Sequence, residues 1–217
     1  MSRVRVAALI SGRGSNMAAL LQAAQAPDYP AEIALVLSNK PDAGGLRIAA
    51  EAGVATAVVE SRRFGRDREA FERAMDAELE RHGIRIVALA GFMRVLTPWF
   101  VRRWSGRLVN IHPALLPSYP GLDTHERALA DGVRFHGCTV HLVGEEVDVG
   151  PILAQAAVPV RQDDTADTLA ARVLAEEHRI YPAALAWLAA GRVRVEGGRA
   201  IVQGAESPGA ACVNPLP

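Results

Sequence analysis

The chain has 217 residues, half of them hydrophobic, which is enough to bury the core of one α/β domain. Lysine plus arginine equals aspartate plus glutamate at 24 each, and this balance argues against a general nucleic-acid binder, which needs a basic field. No apolar run approaches the roughly 18 residues of a membrane span, so no membrane association is expected.

The start of the chain and its cysteines indicate the compartment. Only a short apolar run follows Met1-Ser2-Arg3, without the pattern of a signal peptide. The two cysteines, Cys138 and Cys212, lie far apart in the sequence and form no spaced set. We therefore expect a cytoplasmic, reducing location.

Short apolar runs alternate with helical patterns over the first half of the chain. The runs lie at 4–10, 33–37, 55–59, 86–90 and 108–111, with helical patterns at 16–24, 43–52 and 67–81 and a helix start at Pro98. Continuous apolar strands are typical of a parallel sheet covered on both faces. The pattern predicts an α/β fold with a Rossmann-like, doubly wound, mostly parallel sheet.

The pattern changes after Pro113. A proline-rich loop at 113–121 and a helix near 124–131 precede two apolar strands, near 139–143 and 152–158, and these strands predict an antiparallel extension. A long amphipathic helix over 165–190 then closes the domain, with Thr165 or Asp167 as its cap. We predict one domain over 1–204 and a flexible tail over 205–217, which is rich in glycine, alanine and proline.

A glycine-containing loop follows the first strand. It reads Ser11-Gly12-Arg13-Gly14-Ser15-Asn16, with Ser15 and Asn16 placed to cap the next helix. A helix N-terminus presents free N–H groups and a partial positive charge, so such a turn can bind a phosphate. Met17 stands where the dinucleotide signature has its third glycine, which argues against an NAD site. Alone, the loop is equally consistent with a simple chain reversal.

Two polar side chains interrupt the fifth strand. Asn110 and His112 are two residues apart, so they point to one face at a carboxyl end, where open α/β sheets build their sites. A single histidine there is more often a satisfied structural residue, but the pair favours a functional site. Asp148 lies in a later turn, and beside His112 its charge would favour the imidazolium and raise the histidine pKa.

These residues belong to seven ordered segments through which the chain resembles the glycinamide ribonucleotide formyltransferases that use 10-formyltetrahydrofolate. The segments are 10–16, 38–43, 89–96, 110–113 with its Leu-Leu-Pro extension, 136–141, 148–152 and 177–182. The resemblance covers about the first 200 residues. The Asn110 and His112 segment and Asp148 are shared by all folate formyl transferases and hydrolases, whereas 10–16 and 177–182 indicate the ribonucleotide acceptor.

The resemblance implies roles for individual residues. The catalytic residues would be His112 as proton donor, Asn110 at the oxyanion, and Asp148 holding the charged histidine. The phosphoribosyl end of the acceptor would bind to Gly14, Ser15 and Asn16, and its ribose hydroxyls would bind to Glu177. The folate would bind to Arg68, Met93, Arg94, Val95, Leu96 and Asn110. By spacing alone, Arg68 and Glu177 would be solvated helix residues, and Met93 and Leu96 core. One departure is Asp123, where the family often has histidine.

The resemblance further implies a monomer or homodimer that uses 10-formyltetrahydrofolate and glycinamide ribonucleotide, with no metal and no nucleic acid. The six histidines form no zinc-type spacing, and neither cysteine is placed as a nucleophile. The alternatives are a formyltetrahydrofolate hydrolase, a transferase with another acceptor, and a non-catalytic nucleotide-binding Rossmann module. The hydrolase usually carries a domain before the first strand, and the tRNA-directed enzyme carries one after the last helix. We therefore expect neither of these two.

Overall fold

The computed structural model describes residues 3–207, 209 and 214. Seven strands form one sheet in the order β3-β2-β1-β4-β5-β6-β7. The strands are β1 (Val4–Ile10), β2 (Ala31–Ser38), β3 (Ala55–Val58), β4 (Ile86–Leu89), β5 (Leu108–His112), β6 (Phe135–Leu142) and β7 (Ile152–Pro159). The first five are parallel, and at one edge β6 pairs antiparallel with β5 and β7 pairs antiparallel with β6. This arrangement confirms the predicted fold class.

Helices cover both faces of the sheet. They are α1 (Ser15–Ala23), α2 (Gly44–Glu51), α3 (Arg68–Arg81), α4 (Pro98–Arg103), α5 (Thr124–Ala130) and α6 (Ala166–Ala189). Alternate residues of β1 explain the two layers, because Val6, Ala8 and Ile10 pack with α1, α2 and α6, whereas Ala7 and Leu9 pack with α3 and α4. Each predicted helix is present, and a short 3₁₀ turn at Ser61–Phe64 was not predicted.

Helix α6 fixes the long connection back across the sheet. The Thr165 hydroxyl accepts a hydrogen bond from the Thr168 N–H and forms a reciprocal capping box, so Thr165 is the cap. Farther along, the fully buried Tyr181 hydroxyl lies 2.9 Å from the Leu89 carbonyl and 3.2 Å from that of Val109. These contacts attach α6 to β4 and β5 at the edge of the sheet where the polar cluster lies. None of the described helices is long and apolar enough to cross a bilayer.

A hairpin follows α6 that the sequence analysis missed. Strands β8 (Val193–Glu196) and β9 (Arg199–Val202) pair antiparallel around Gly197 and Gly198, which both have positive φ. A Gly-Gly pair between two short alternating strands is a hairpin signal. Of the predicted tail at 205–217, residues 208, 210–213 and 215–217, including Cys212, lie outside the described residues. The side-chain amide of Asn214 donates to the carbonyls of Arg134 and Val160.

Candidate active site

The sheet creates a cleft where its connections change direction. Strand order reverses between β1 and β4, and loops leaving their carboxyl ends diverge to opposite faces. A cavity of about 720 Å³ lies beside this point, and the loop 91–96 after β4, the end of β5, and the loops 121–126 and 143–148 line it. Its volume is in the range of small-molecule sites.

The structure brings together His112 and Asp148, which are far apart in the sequence. Nδ1 of His112 lies 3.4 Å from Oδ1 of Asp148, and both side chains are largely buried. Nε2 of His112 lies 2.9 Å from the Tyr119 carbonyl, which can only accept, so this nitrogen carries a proton. The histidine therefore faces an acceptor at each ring nitrogen, and the carboxylate can hold a charge that develops on the ring.

Asp148 also organises the loop opposite the histidine. Its Oδ2 accepts a hydrogen bond of 2.7 Å from the Gly121 N–H, while Oδ1 faces His112. Its backbone has φ 56°, in the left-handed region that asparagine and aspartate tolerate better than most residues. One carboxylate thus holds both the imidazole and the proline-rich loop.

Asn110 lies at the same end of β5 as His112 and is held by His141, a residue that was not predicted as part of the site. Its Nδ2 is 3.3 Å from Nε2 of His141, whose Nδ1 lies 3.0 Å from the Leu142 carbonyl. Because that carbonyl accepts only, Nδ1 of His141 carries the proton and Nε2 accepts from Asn110. Burial lowers the pKa of His141, which keeps the ring neutral and suited to this role. This contact occupies one of the two N–H groups of the Asn110 amide, and Asn110 lines the cavity.

Two further side chains missed from the sequence fix the proline-rich loop. The fully buried Thr139 hydroxyl donates to the Ala114 carbonyl at 2.6 Å and accepts from the Leu116 N–H at 3.0 Å. The side-chain amide of Gln155 donates to the Leu116 carbonyl at 2.9 Å. Both residues alternate with apolar neighbours on β6 and β7, so nothing in their own spacing distinguishes them from other strand residues.

Behind the loop, His136 packs against Tyr119 and His125, with ring centroids 5.8 Å and 5.2 Å away. His136 is 1% exposed, and burial lowers its pKa to about 4. In the unfolded chain the His136 imidazole binds a proton near pH 6.5, whereas in the folded protein it does so only near pH 4. Protonation therefore favours the unfolded chain, and the folded state loses stability as the pH falls from about 6.5 toward 4.

The His136→Phe variant removes this titration and should weaken the acid dependence of stability. Between pH 7.5 and pH 5 the parent should lose on the order of 2 kcal/mol more unfolding free energy than the variant, because about 1.5 pH units of that range lie below the unfolded pKa. Urea unfolding of both proteins at the two pH values measures the difference. Equal losses in the two proteins would contradict a neutral, buried His136.

The glycine-containing loop reaches α1 differently from the prediction. Gly14, with φ 78°, is the N-cap and no side chain caps the helix, so the assignment of Ser15 and Asn16 as caps was wrong. Asn16 instead donates from Nδ2 to Oε2 of Glu177 at 2.7 Å. A side chain at Gly14 would meet Gly45 at 2.9 Å, which explains the need for glycine. The loop and α6 thus meet through the Asn16–Glu177 pair.

Glu177 is buried to 6% exposure, and this burial raises the pKa of its carboxyl group. A groove of about 510 Å³ runs between α1 and α6 on the same side, with Ser15 and His178 among its lining residues. Ser15 is exposed at the helix start. The predicted ribonucleotide residues therefore surround the N-terminus of α1, beside β1 rather than inside the large cavity.

The predicted folate residues after β4 line the large cavity with Asn110, His112 and Asp148. Met93 is 67% exposed and does not belong to the core, contrary to the reading from spacing alone, whereas Leu96 is half-buried and packs against the core layer that contains α3 and α4. Arg68 does not line the cavity. It is exposed at the first turn of α3, near enough to lower the pKa of Glu72 against the larger, opposing effect of burial.

Asp123, the departure from the family pattern, also lines the cavity. Its backbone has φ 55° at the N-cap of α5, and its side chain makes no capping hydrogen bond.

Among the described residues, no group of three or more His, Cys, Asp or Glu side chains is arranged to hold a metal ion. Burial raises the pKa of the Cys138 thiol to about 12, which makes it a poor nucleophile near neutral pH.

The cleft, the cavity and the Asn-His-Asp cluster form a small-molecule site at the carboxyl edge of a doubly wound sheet. Residues 4–185 match the family model described as formyl transferase. The chain therefore belongs to the formyl transferase family.

Within that family, the chain is similar to phosphoribosylglycinamide formyltransferases. That of Escherichia coli K12 is 43% identical over 94% of this chain and 96% of its own length. The crystal structure of glycinamide ribonucleotide transformylase 1 from Symbiobacterium toebii superposes with a TM-score of 0.90 and 42% identity, covering 93% of this chain and 94% of that one. The trifunctional purine biosynthetic protein adenosine-3 of Gallus gallus is 48% identical over 89% of this chain, which spans only 19% of that protein.

Proposed function

We propose that this chain transfers the formyl group of 10-formyltetrahydrofolate to the amine of 5-phosphoribosylglycinamide, yielding formylglycinamide ribonucleotide and tetrahydrofolate in de novo purine synthesis. The observation that carries the proposal is the cluster of Asn110, His112 and Asp148 on the wall of a ligand-sized cavity. The full-length bacterial relatives named for this activity support it. In this reaction 10-formyltetrahydrofolate is a co-substrate.

The cavity suits the folate. Exposed apolar side chains at its mouth, Met93, Val95 and Leu122, offer surface to a flat aromatic ligand, and Arg94 offers a positive charge to a carboxylate. A folate lying along residues 93–96 would present its formyl group toward Asn110 and His112 at the inner wall. The chemistry then takes place where the cavity comes nearest to the sheet.

Transfer begins when the neutral amine attacks the formyl carbon. The new C–N bond pushes the carbonyl electrons onto oxygen, and the tetrahedral intermediate carries a developing negative charge there. The free N–H of Asn110, oriented by His141, donates to that oxygen. Because His141 already holds the Asn110 amide in place, this N–H stabilises the intermediate without first having to reorient.

Collapse of the intermediate requires one proton to leave the attacking amine and one to reach the departing folate nitrogen. His112 donates a proton to the folate nitrogen and then takes up the proton that the amine loses, so the ring returns to its starting charge, and Asp148 holds the charged form of the ring. Since Nε2 of His112 faces the Tyr119 carbonyl, delivery from that nitrogen requires the proline-rich loop to release it. No covalent enzyme intermediate is needed.

The ribonucleotide lies on α1 and α6. The N–H groups at the start of α1, following Gly14, would receive the phosphate, and the buried carboxylate of Glu177 would accept hydrogen bonds from the ribose hydroxyls. Asn16 holds Glu177 in place. The amine then extends across β1 toward His112, so that the two substrates meet at the reversal of strand order.

The Glu177→Gln variant should raise the KM for the ribonucleotide about tenfold, because a neutral amide replaces a charge-assisted acceptor of the ribose hydroxyls. The KM for formyl-folate should change by less than about twofold, since that site is separate. Steady-state kinetics with each substrate varied measures both. The matched control is Glu176→Gln, which removes the neighbouring carboxylate, paired with Arg179 on the surface. An equal change in the KM for the ribonucleotide in both variants would contradict the assignment of Glu177 to the binding site.

Turnover with and without the acceptor distinguishes the proposal from its alternatives. Loss of the formyl group from 10-formyltetrahydrofolate, or from its 10-formyl-5,8-dideaza analogue, is followed by absorbance. The proposal predicts turnover only with the ribonucleotide. Formate release without it would indicate a hydrolase, and binding without turnover would indicate a non-catalytic Rossmann module.

We also infer a cytoplasmic setting and a monomer or homodimer. The described cysteine, Cys138, is a buried free thiol, consistent with a reducing compartment. Sedimentation velocity over a range of protein concentrations determines the oligomeric state.

A further inference from the structure

The cavity wall that would bind folate, here called the folate segment, comprises residues 91–97 between β4 and α4. It has no regular secondary structure. Its outward side chains Met93 and Val95 are more than half exposed, so side-chain packing does not fix their backbone. A flexible wall would have to be ordered whenever a ligand binds, at a cost in affinity. The contacts that hold this backbone therefore matter for binding.

One contact holds the end of the segment. Glu72 on α3 accepts a hydrogen bond of 2.7 Å from the Thr97 N–H and a second from the Thr97 hydroxyl. The Glu72 residue is 1% exposed, and its burial raises the pKa of the carboxyl group. A carboxylic side chain withdrawn from water is costly, so its two bonds to one residue indicate a specific task.

A second contact holds the start of the segment. The Ser11 hydroxyl accepts from the Met93 N–H at 2.8 Å and donates to the side-chain carbonyl of Asn39 at 2.7 Å. The Ser11 N–H donates to the Gly91 carbonyl at 3.1 Å. Ser11 and Asn39 are both buried, which protects these bonds from competition by water. The exposed residues 93–95 and the half-buried Leu96 thus lie between two buried polar anchors.

We propose that Glu72 and Ser11 are positioning residues for formyl-folate, which hold the folate segment in its binding conformation without touching the ligand. The inference rests on the proposed function, because it takes the folate segment as the wall of the folate site. Neither anchor lines the cavity. Removal of either anchor should weaken folate binding. Removal of Glu72 should also leave the ribonucleotide site intact, since α1 and α6 do not depend on Glu72, whereas Ser11 opens the loop that leads to α1.

The test compares two buried acids of α3 that are one helical turn apart. Glu72→Ala should weaken binding of 10-formyl-5,8-dideazafolate about tenfold in titration calorimetry, by loss of a charge-assisted bond and of preorganisation. Asp76→Ala is the control, because Asp76 bonds Arg103 and Trp104 at the far end of α4. It should leave the affinity within about twofold even where it lowers the melting temperature.

Milder variants keep the test decisive where Glu72→Ala does not fold. Thr97→Val removes one of the two bonds and should weaken the analogue several-fold, about half of the Glu72→Ala effect in free energy. Thr97→Ser retains the hydroxyl and should restore the affinity. Ser11→Ala should act in the same direction, with Ser38→Ala, a buried serine bonded to the Lys40 carbonyl, as its control. In the active variants, the folate KM should rise while kcat changes by less than about threefold.

Two results would overturn the positioning role. One is equal affinity for the analogue in the parent, Glu72→Ala and Thr97→Val. The other is a loss of affinity in Asp76→Ala as large as that in Glu72→Ala, which would mean that the loss reflects lower overall stability of the protein. Failure of the proposed function looks different. A parent that binds the analogue but does not formylate the ribonucleotide contradicts that function, while the affinity comparison among the variants still decides the positioning role.

Discussion

Replacement of His112 by alanine is expected to lower kcat/KM by about 10²–10⁴-fold, the range for loss of a positioned acid-base group. The imidazole lies at the end of β5 between the Asp148 carboxylate and the Tyr119 carbonyl. His141 cannot substitute, because its ring is engaged by Asn110 and the Leu142 carbonyl. Steady-state assays with both substrates measure the loss.

The variant must be shown to be folded, and the loss must be specific to this histidine. Circular dichroism and calorimetric binding of the folate analogue report on the fold and the cavity, and both should be retained. His82→Asn, at the end of α3, removes a histidine away from the cavity and should retain at least about half of the parent activity. Residual activity of His112→Ala above about a tenth of the parent value would exclude His112 as the proton donor.

The Asp148→Asn variant should lower kcat by about a hundredfold with little change in either KM. Asparagine tolerates the left-handed backbone at φ 56°, and its amide oxygen can still accept from the Gly121 N–H. The change therefore removes the charge that holds protonated His112 and leaves the loop in place. Rapid single-turnover experiments should locate the loss in the chemical step.

Asp123→Asn is the matched control, because Asp123 lines the same cavity with nearly the same backbone conformation, φ 55°. Its carboxylate caps no helix, and we expect kcat to change by less than about threefold. Comparable losses in the two variants would show that the general negative charge of the cavity matters, rather than the pairing of Asp148 with His112.

The fold could be predicted from the sequence because its signals are local. The β1 run at Val4–Ile10 is apolar except for Arg5 and leads into the glycine-containing loop, and its structure matches the predicted bounds. The predicted β6 began at residue 139 but the strand begins at Phe135, because His136, Gly137 and Cys138 interrupt the apolar run yet are buried within the sheet. Tertiary burial decided that boundary, and no local pattern records it.

The site could be predicted only in part. Asn110 and His112 stand out as two polar residues at one strand end, and the structure places Asp148 beside His112. Thr139 and Gln155 were missed because their partners in the proline-rich loop lie more than 20 residues away, where spacing carries no information. Glu72 was hidden for the same reason, since on a charged helix a buried carboxylate and a solvated one look alike.

The destination of the formyl carbon distinguishes transfer to the ribonucleotide from hydrolysis. Formyl-folate labelled with carbon-13 at the formyl group is mixed with the enzyme and one equivalent of glycinamide ribonucleotide, and the carbon is followed by NMR. We expect the label to appear as a formamide on the ribonucleotide, at a rate that falls with His112→Ala. Label recovered as free formate, with the ribonucleotide unchanged, would contradict it.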